Sequence, residues 1–139
     1  MLHAVSYAQN LRARLGDLDV EIAMPIQRLR VFARGAGLWE GIDAATRRAQ
    51  LEAIAERSER DYPRLRLHLY DARRLYAPPF TVFGMTRAAL YLGRAYLVLT
   101  ATEQVRALAN HFDDLVRESA VAPPETGAAV REIATLATG

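Results

Sequence analysis

The segment AALYLGRAYLVLT, residues 88–100, places the strongest local constraint on how this chain folds. Gly93 and Arg94 form a Gly-X pair, which suits the two-residue loop of a type II′ β-hairpin. Counting outward from that loop pairs Leu92 with Ala95, and every second residue then falls on the same face. One of the two faces is wholly apolar and is predicted to join a core. Its members are Ala88, Leu90, Leu92, Leu97 and Leu99.

A strongly amphipathic segment follows the hairpin, over residues 101–119. Its apolar side chains recur at helical spacing and are Val105, Leu108, Ala109, Phe112, Leu115 and Val116. This stripe predicts a helix that lies across the apolar face of the hairpin. Upstream, RLRLHLY (residues 64–70) alternates as a strand does, and FTVF (residues 80–83) can join the hairpin. We therefore predict an α+β fold, in which this C-terminal helix covers a small antiparallel meander of about four strands.

Residues 2–34 carry apolar side chains at alternating spacings of three and four, a heptad-like pattern. The pattern predicts N-terminal helices, with a kink or break at Pro25 because proline has no N–H to donate. Such a seam either packs on the chain's own core or pairs two copies, and periodicity alone does not choose between them. If it pairs two copies, the dimerisation residues are Leu11, Leu15, Leu18, Ile22, Leu29 and Phe32.

Glycines surround Trp39 in the segment RGAGLWEGID and predict the end of the first helical region. Asp43 suits the N-cap of a second helix, and Pro63 ends that helix. These boundaries divide the chain into three parts. They are an N-terminal helical dimerisation segment at 1–42, an α+β regulatory domain at 43–122, and a short C-terminal tail or helix at 123–139.

Composition narrows the classes of function. The 139 residues include 18 basic side chains, all arginine, against 16 acidic ones, and a formal charge of +2 is too small to indicate a phosphate-binding surface. The absence of cysteine from the sequence excludes disulfides and thiolate chemistry. Since no apolar run reaches the length of a membrane span and the N-terminus does not read as a signal peptide, we expect a soluble, cytoplasmic protein.

The densest group of polar and titratable residues lies at the end of the strand at 64–70 and in the loop after it. Arginine with tyrosine suits an anionic or aromatic ligand, and loops held by a sheet commonly carry binding residues. The candidate ligand-binding residues are His68, Tyr70, Arg73, Arg74 and Tyr76. The alternative interpretation is the solvated face of an edge strand followed by a charged turn.

Catalytic and metal-binding patterns are weak. His68 and Asp71 point to opposite faces of a strand, so they do not form an acid–base pair. His111 and Asp114 share a helix face but lack a third ligand, and a solvated ion pair is the preferred interpretation there. No nucleophile elbow or phosphate-binding glycine loop occurs in the sequence. We therefore expect no enzymatic activity, no cofactor and no metal ion.

Residues 62–120 resemble the C-terminal region of a group of bacterial helix-turn-helix regulators of the XRE type. The resemblance lies in the order of LHLYDAR, a proline-containing loop leading to TVFG, AALYLGRAYLVL, and a helix ending near HFDDLVR. It implies a regulatory domain for dimerisation, for sensing an effector, or for both. Because nothing in this chain reads as a helix-turn-helix, DNA contact is expected only through an attached or partner domain.

Two further hypotheses stand beside this regulatory one. The first is a stand-alone domain that binds a small molecule through the loop from Tyr70 to Tyr76. The second is an adaptor that acts through contact with another protein. For the regulatory hypothesis we expect a homodimer and a small-molecule effector, with no membrane partner.

Overall fold

The computed structural model describes residues 10–13, 20–84, 86–92 and 94–138. These residues form six strands and four α-helices. The strands are β1 (Asn10–Ala13), β2 (Val20–Pro25), β3 (Leu65–Tyr70), β4 (Phe80–Phe83), β5 (Arg87–Tyr91) and β6 (Tyr96–Leu99). The helices are α1 (Ile26–Arg34), α2 (Ala44–Arg60), α3 (Thr102–Arg117) and α4 (Pro123–Ala134), and a 3₁₀ turn spans Gly37–Trp39.

All six strands belong to one mixed sheet, in the order β3-β2-β1-β4-β5-β6. Strands β4, β5 and β6 form the predicted antiparallel meander. The strand at 64–70 was expected beside them, but β3 instead pairs in parallel with β2 at the far edge. The difference arises because two N-terminal strands lie between β3 and the meander. The α+β class is confirmed, and the sheet is larger than the sequence predicts.

The sheet carries a core on each of its faces. Helix α3 covers one face and packs on β2 to β5, where the largest buried side chains are Tyr70, Phe80, Val82, Val105, Phe112 and Leu115. Helices α1, α2 and α4 cover the other face over β2 and β3, where the buried side chains include Ile22, Met24, Leu29, Leu51, Leu69 and Val130. Strand β2 is therefore buried on both faces.

The predicted hairpin register is confirmed, from Tyr91 opposite Tyr96 to Ala88 opposite Leu99. Its predicted apolar face is only partly covered. Ala88 is buried under α3, whereas Leu92 and Leu97 are 67% and 50% exposed. Helix α3 runs from the meander toward β3 and leaves the tip of the hairpin uncovered, so Ala88, Leu90 and Leu99 join the predicted core and Leu92 and Leu97 do not.

The predicted helix over residues 2–34 is correct only for α1. Residues 10–13 and 20–25 are strands, and the predicted break at Pro25 separates β2 from α1. The periodicity misleads at β2 because Ile22, Ala23 and Met24 are buried in succession on both faces, which removes the alternation that marks a half-buried strand.

Three of the residues predicted for a dimerisation seam pack within the chain. Ile22 and Leu29 are buried in this chain's own core, and Phe32 packs edge-to-face on Trp39 with ring centroids 5.2 Å apart. The intramolecular alternative left open by the sequence describes the packing of these three side chains. Leu11 lies in β1, and Leu15 and Leu18 lie outside the described residues.

Helices α2 and α4 pack together over β3. Asp43 caps α2 as predicted, since its carboxylate accepts a hydrogen bond from the amide of Thr46 at 2.8 Å. On the surface, Arg131 of α4 bridges Glu52 and Glu59 of α2 at 2.8 and 2.6 Å. The predicted boundary at residue 42 thus falls between α1 and α2, which cover the same face of the sheet.

A buried guanidinium ties these elements together. Arg47 of α2 is 6% exposed, and it donates hydrogen bonds to the carbonyl oxygens of Ala33 (3.1 Å), Ile42 and Thr138 (3.4 Å). One side chain thereby provides hydrogen-bond donors to carbonyl groups at the end of α1, in the loop that carries Trp39 and at the end of the described chain.

Replacing Arg47 by methionine should lower the free energy of unfolding by about 2–4 kcal/mol, because carbonyl groups near the buried site lose their donor. Arg48→Met is the matched control, since Arg48 is exposed on the same helix, and it should change stability by less than about 0.5 kcal/mol. Urea denaturation followed by circular dichroism measures both. Equal transition midpoints for the two variants would contradict the role assigned to Arg47.

Candidate functional site

A cleft of about 390 Å³ opens where β2 and β3 end. The two strands run in parallel through six consecutive residue pairs, from Val20 opposite Leu65 to Pro25 opposite Tyr70. Parallel strands end at the same edge of a sheet, so the segments that leave them face each other across a crevice. Helix α1 leaves β2 on one side, and the loop of residues 71–79 leaves β3 on the other.

The cleft walls are largely apolar. Tyr70 and Pro25 lie at its base, α1 contributes Val31, the 3₁₀ turn contributes Leu38 and Trp39, and the loop contributes Tyr76. Leu38 is 92% exposed and Tyr76 is 73% exposed. Large apolar side chains that converge on a concavity while in contact with water are typical of a binding site.

The side chain of Gln27 holds the two walls together. Its Nε2 donates to the Asp71 carboxylate at 2.6 Å, and its Oε1 accepts from the amide of Ala72 at 3.0 Å. At the other end of the loop, the Nε2–H of His111 donates to the carbonyl of Tyr76 at 3.1 Å. The loop is thus fastened to α1 and to α3, which gives the cleft a defined width.

The position of Trp39 depends on a tight turn after α1. Gly35 ends α1 in the left-handed conformation with φ of 67°, and a Cβ atom there would lie 2.6 Å from the Arg47 guanidinium. Only glycine meets both demands. The chain then turns back, so that Trp39 packs on Phe32 of α1 and faces the cleft.

The charge of the cleft lining comes from Arg28. This side chain lies on α1 and has no ion pair with any described residue. Beside the cleft, Arg73 bonds to Asp71 at 2.9 Å, and this pairing holds the pKa of the Asp71 carboxyl well below its usual range, so the carboxylate stays ionised and neutralised. Within the described part of the chain, the cleft lining therefore carries one unpaired positive charge.

The structure places the predicted binding residues in three different settings. Tyr70 and Tyr76 line the cleft. Arg73 and Arg74 are exposed in the loop and do not line it. His68 lies on the face of β3 that packs toward α3 and is 7% exposed. The predicted wet face of this strand is wrong, because α3 and the residues after it cover it.

Sequence reasoning missed the α1 side of the cleft and the 3₁₀ turn. These residues are Gln27, Arg28, Val31, Leu38 and Trp39. Trp39 stands in a glycine-rich loop, where a large aromatic side chain is unusual, and this was the one usable indication. Gln27, Arg28 and Val31 lie on a helix whose neighbour across the cleft is more than 40 residues away in the chain, as the hydrogen bond from Gln27 to Asp71 shows.

The two helix residues considered as metal ligands have other partners. His111 binds the loop, and Asp114 pairs with Arg117 one turn further on. Within residues 10–13, 20–84, 86–92 and 94–138, no three His, Asp or Glu side chains come together as a metal site. The same residues contain no helix with the length and apolar character needed to cross a bilayer.

Comparison with known proteins does not supply a function. No protein-family model matches the chain, and no curated protein or solved structure matches it significantly. The function is therefore inferred from the geometry of the cleft.

Gln27→Leu should weaken the attachment of the loop to α1, because it removes a donor and an acceptor at once while keeping the side-chain volume. We expect a loss of about 1–3 kcal/mol in unfolding free energy and faster hydrogen exchange at the amide of Ala72. Gln50→Leu is the matched control on an exposed position of α2. Unchanged exchange at Ala72 would contradict the clamp.

A half-buried charge cluster lies away from the cleft, on the α3 side of β2 and β3. His68 Nε2 lies 3.0 Å from the Glu21 carboxylate and Arg66 Nε lies 3.6 Å from it. Because a carboxylate only accepts, the histidine N–H is the donor. The hydrogen bond from His68, reinforced by the charge of Arg66, lowers the pKa of Glu21 below its ordinary value of 4.5.

Since the folded-state pKa of Glu21 is the lower one, its contribution to stability is complete above pH 4.5 and is lost as the pH falls through the folded-state value. Glu21→Gln should therefore reduce stability at pH 7 and make the decline between about pH 5 and pH 3 shallower. Urea midpoints measured across this range test it, with exposed Glu132→Gln as the control. An unchanged acid slope in Glu21→Gln would show that this carboxylate is not stabilised by folding.

Proposed function

We propose that this chain is an effector-sensing regulatory domain, which binds a small planar aromatic compound with an acidic group in the cleft between α1 and the loop of residues 71–79. The observation that carries the proposal is the convergence of exposed apolar side chains with a guanidinium that has no ion pair among the described residues. Leu38 and Tyr76 supply the apolar surface, and Arg28 supplies the charge.

The size and chemistry of the cleft support a compact ligand. A volume of about 390 Å³ lies at the lower end of the range for small-molecule sites, which suits a ligand of one or two rings. Trp39 and Tyr76 offer aromatic faces, and rings pack on such faces in stacked or edge-to-face arrangements. A guanidinium at the margin binds a carboxylate through paired N–H groups, which fixes the orientation of the ligand.

A regulatory role is favoured by the position of the cleft. A ligand there touches both α1 and the loop, so its binding strengthens the attachment between the two elements that the hydrogen bonds of Gln27 join. The resemblance of residues 62–120 to the regulatory region of XRE-type regulators supports the same role. In this proposal, DNA is contacted by an attached or partner domain, and the cleft changes how that domain is presented.

The single tryptophan of the chain, Trp39, provides the test. A library of small aromatic acids, amides and amines is titrated while the one indole N–H resonance of Trp39 is followed by NMR. We expect aromatic acids to shift this resonance, and trans-cinnamate to bind more tightly than trans-cinnamamide. Absence of any compound that shifts it, or hits confined to other surfaces, would contradict the proposal.

Matched variants assign the contacts. Tyr76→Ala should weaken binding of trans-cinnamate about tenfold, through loss of ring packing, whereas Tyr62→Ala, which removes an exposed tyrosine outside the cleft, should not. Arg28→Gln should reduce the preference for the acid over the amide about fivefold, and Arg34→Gln on the same helix should leave it unchanged. Equal effects of the paired variants would place the ligand elsewhere.

A further inference from the structure

The edge of the sheet formed by β6 is exposed and apolar. Three of its four residues are half-exposed or more, at 61% for Tyr96 and 50% for both Leu97 and Val98, and Leu92 in the adjoining turn is 67% exposed. The strand contains no charged residue and no proline, which are the devices that usually protect a free edge. With the cleft residues, this edge accounts for nearly all the large apolar side chains exposed in the described chain.

The hydrogen-bond pattern shows which backbone groups of β6 face outward. The amide of Leu92 donates to the carbonyl of Ala95 at 2.8 Å, so these two residues form a hydrogen-bonded pair. Such pairs alternate along an antiparallel ladder. Leu97 and Leu99 therefore bond to β5, and the N–H and C=O groups of Tyr96 and Val98 point away from the sheet.

The neighbouring strand confirms this phase. The amide of Tyr91, which lies opposite Tyr96, donates to Pro79 at 3.0 Å on the β4 side rather than to β6. Among the described residues, no backbone group donates to or accepts from the outward groups of Tyr96 and Val98.

The opposite edge of the same sheet is closed. The amides of Ala120 and Val121 donate to the carbonyl of Leu69 in β3, and the Leu69 amide donates to Val121 at 3.1 Å. The hydroxyl of Thr126 donates to the carbonyl of Leu67 at 2.6 Å. The C-terminal segment thus covers the β3 edge, whereas no described residue covers the β6 edge.

A second copy of β6 fits this edge. In an antiparallel pair about a two-fold axis, residues with outward groups face each other, so either Val98 lies opposite Val98 of the second copy or Tyr96 lies opposite Val98. The charges beside the strand favour the first of these registers. Leu97 then lies opposite Leu99 of the second copy, in the close-spaced pair where side chains touch.

Charge favours the same arrangement. Arg94 precedes β6 and Glu103 follows it in the first turn of α3. In the register about Val98, Arg94 lies opposite residue 102 of the second copy, beside Glu103 in the first turn of that copy's α3. A parallel pairing would instead place Arg94 beside Arg94, where like charges repel.

We propose that two copies of this chain associate through β6 in antiparallel register about Val98, which joins their sheets into one continuous sheet of twelve strands. This interface goes beyond the proposed function. It lies at the end of the sheet away from the cleft between β2 and β3, so the two proposals fail separately.

Val98→Pro tests the interface, because it removes the outward N–H of residue 98 from both copies and so deletes two hydrogen bonds between them. The monomer should tolerate the change, since proline is accepted in an edge strand at a position whose N–H faces solvent. Sedimentation over a range of protein concentrations should show a dimer for the natural protein and a dissociation constant at least about tenfold higher for Val98→Pro. Val98→Thr keeps the N–H and the branched shape and should remain dimeric. A strictly monomeric natural protein, or a dimer unaffected by Val98→Pro, would overturn the proposal.

Disulfide cross-linking of single-cysteine variants tests the same interface if Val98→Pro does not fold. The sequence has no cysteine, and paired Val98 positions lie about 5.5 Å apart between Cα atoms, within disulfide range. Val98→Cys should give a covalent dimer under mild oxidation, whereas Leu38→Cys, on the most exposed apolar residue, should not. Equal cross-linking of both variants would exclude this register. Retained binding of trans-cinnamate by a monomeric variant would show that the cleft works without the interface.

Discussion

The parallel pairing of β2 with β3 is the constraint on which the rest of the structure depends. It pairs residues that are 45 positions apart in the chain, from Val20 opposite Leu65 to Pro25 opposite Tyr70, and so brings the ends of the two strands to the same edge. Helices α1 and α2 connect the strands and cover one face of the sheet, while α3 covers the other. The cleft is a consequence of this pairing, because α1 and the loop of residues 71–79 must diverge from adjacent strand ends.

Unequal coverage of the sheet explains where the surface is open. Helices α1, α2 and α4 shield only the half containing β2 and β3, and α3 runs obliquely from the meander toward β3. The residues after α3 close the β3 edge through Leu69. No comparable segment of the described chain reaches β6. The proposed ligand site and the proposed self-association surface therefore lie at opposite ends of one sheet.

The parts of the fold that the sequence predicts are those set by local chemistry. The Gly93-Arg94 loop specifies the hairpin, the stripe along α3 specifies its buried side, and Asp43 specifies the start of α2. Strand β2 was not predicted because its two faces are both buried, which removes the alternation that distinguishes a strand from a helix. The α1 side of the cleft was not predicted for another reason. Tyr76 lies in a loop that is rich in polar residues, whereas Trp39 is brought to the same cleft only by tertiary structure.

The most direct test of the central claim is a crystal structure of the protein with a bound aromatic acid such as trans-cinnamate. We expect the aromatic ring of the ligand to lie between Trp39 and Tyr76, with the ligand carboxylate within about 3 Å of the Arg28 guanidinium and the hydrogen bonds of Gln27 intact. A ligand bound on another surface, or a cleft occupied by solvent at saturating concentrations, would contradict it.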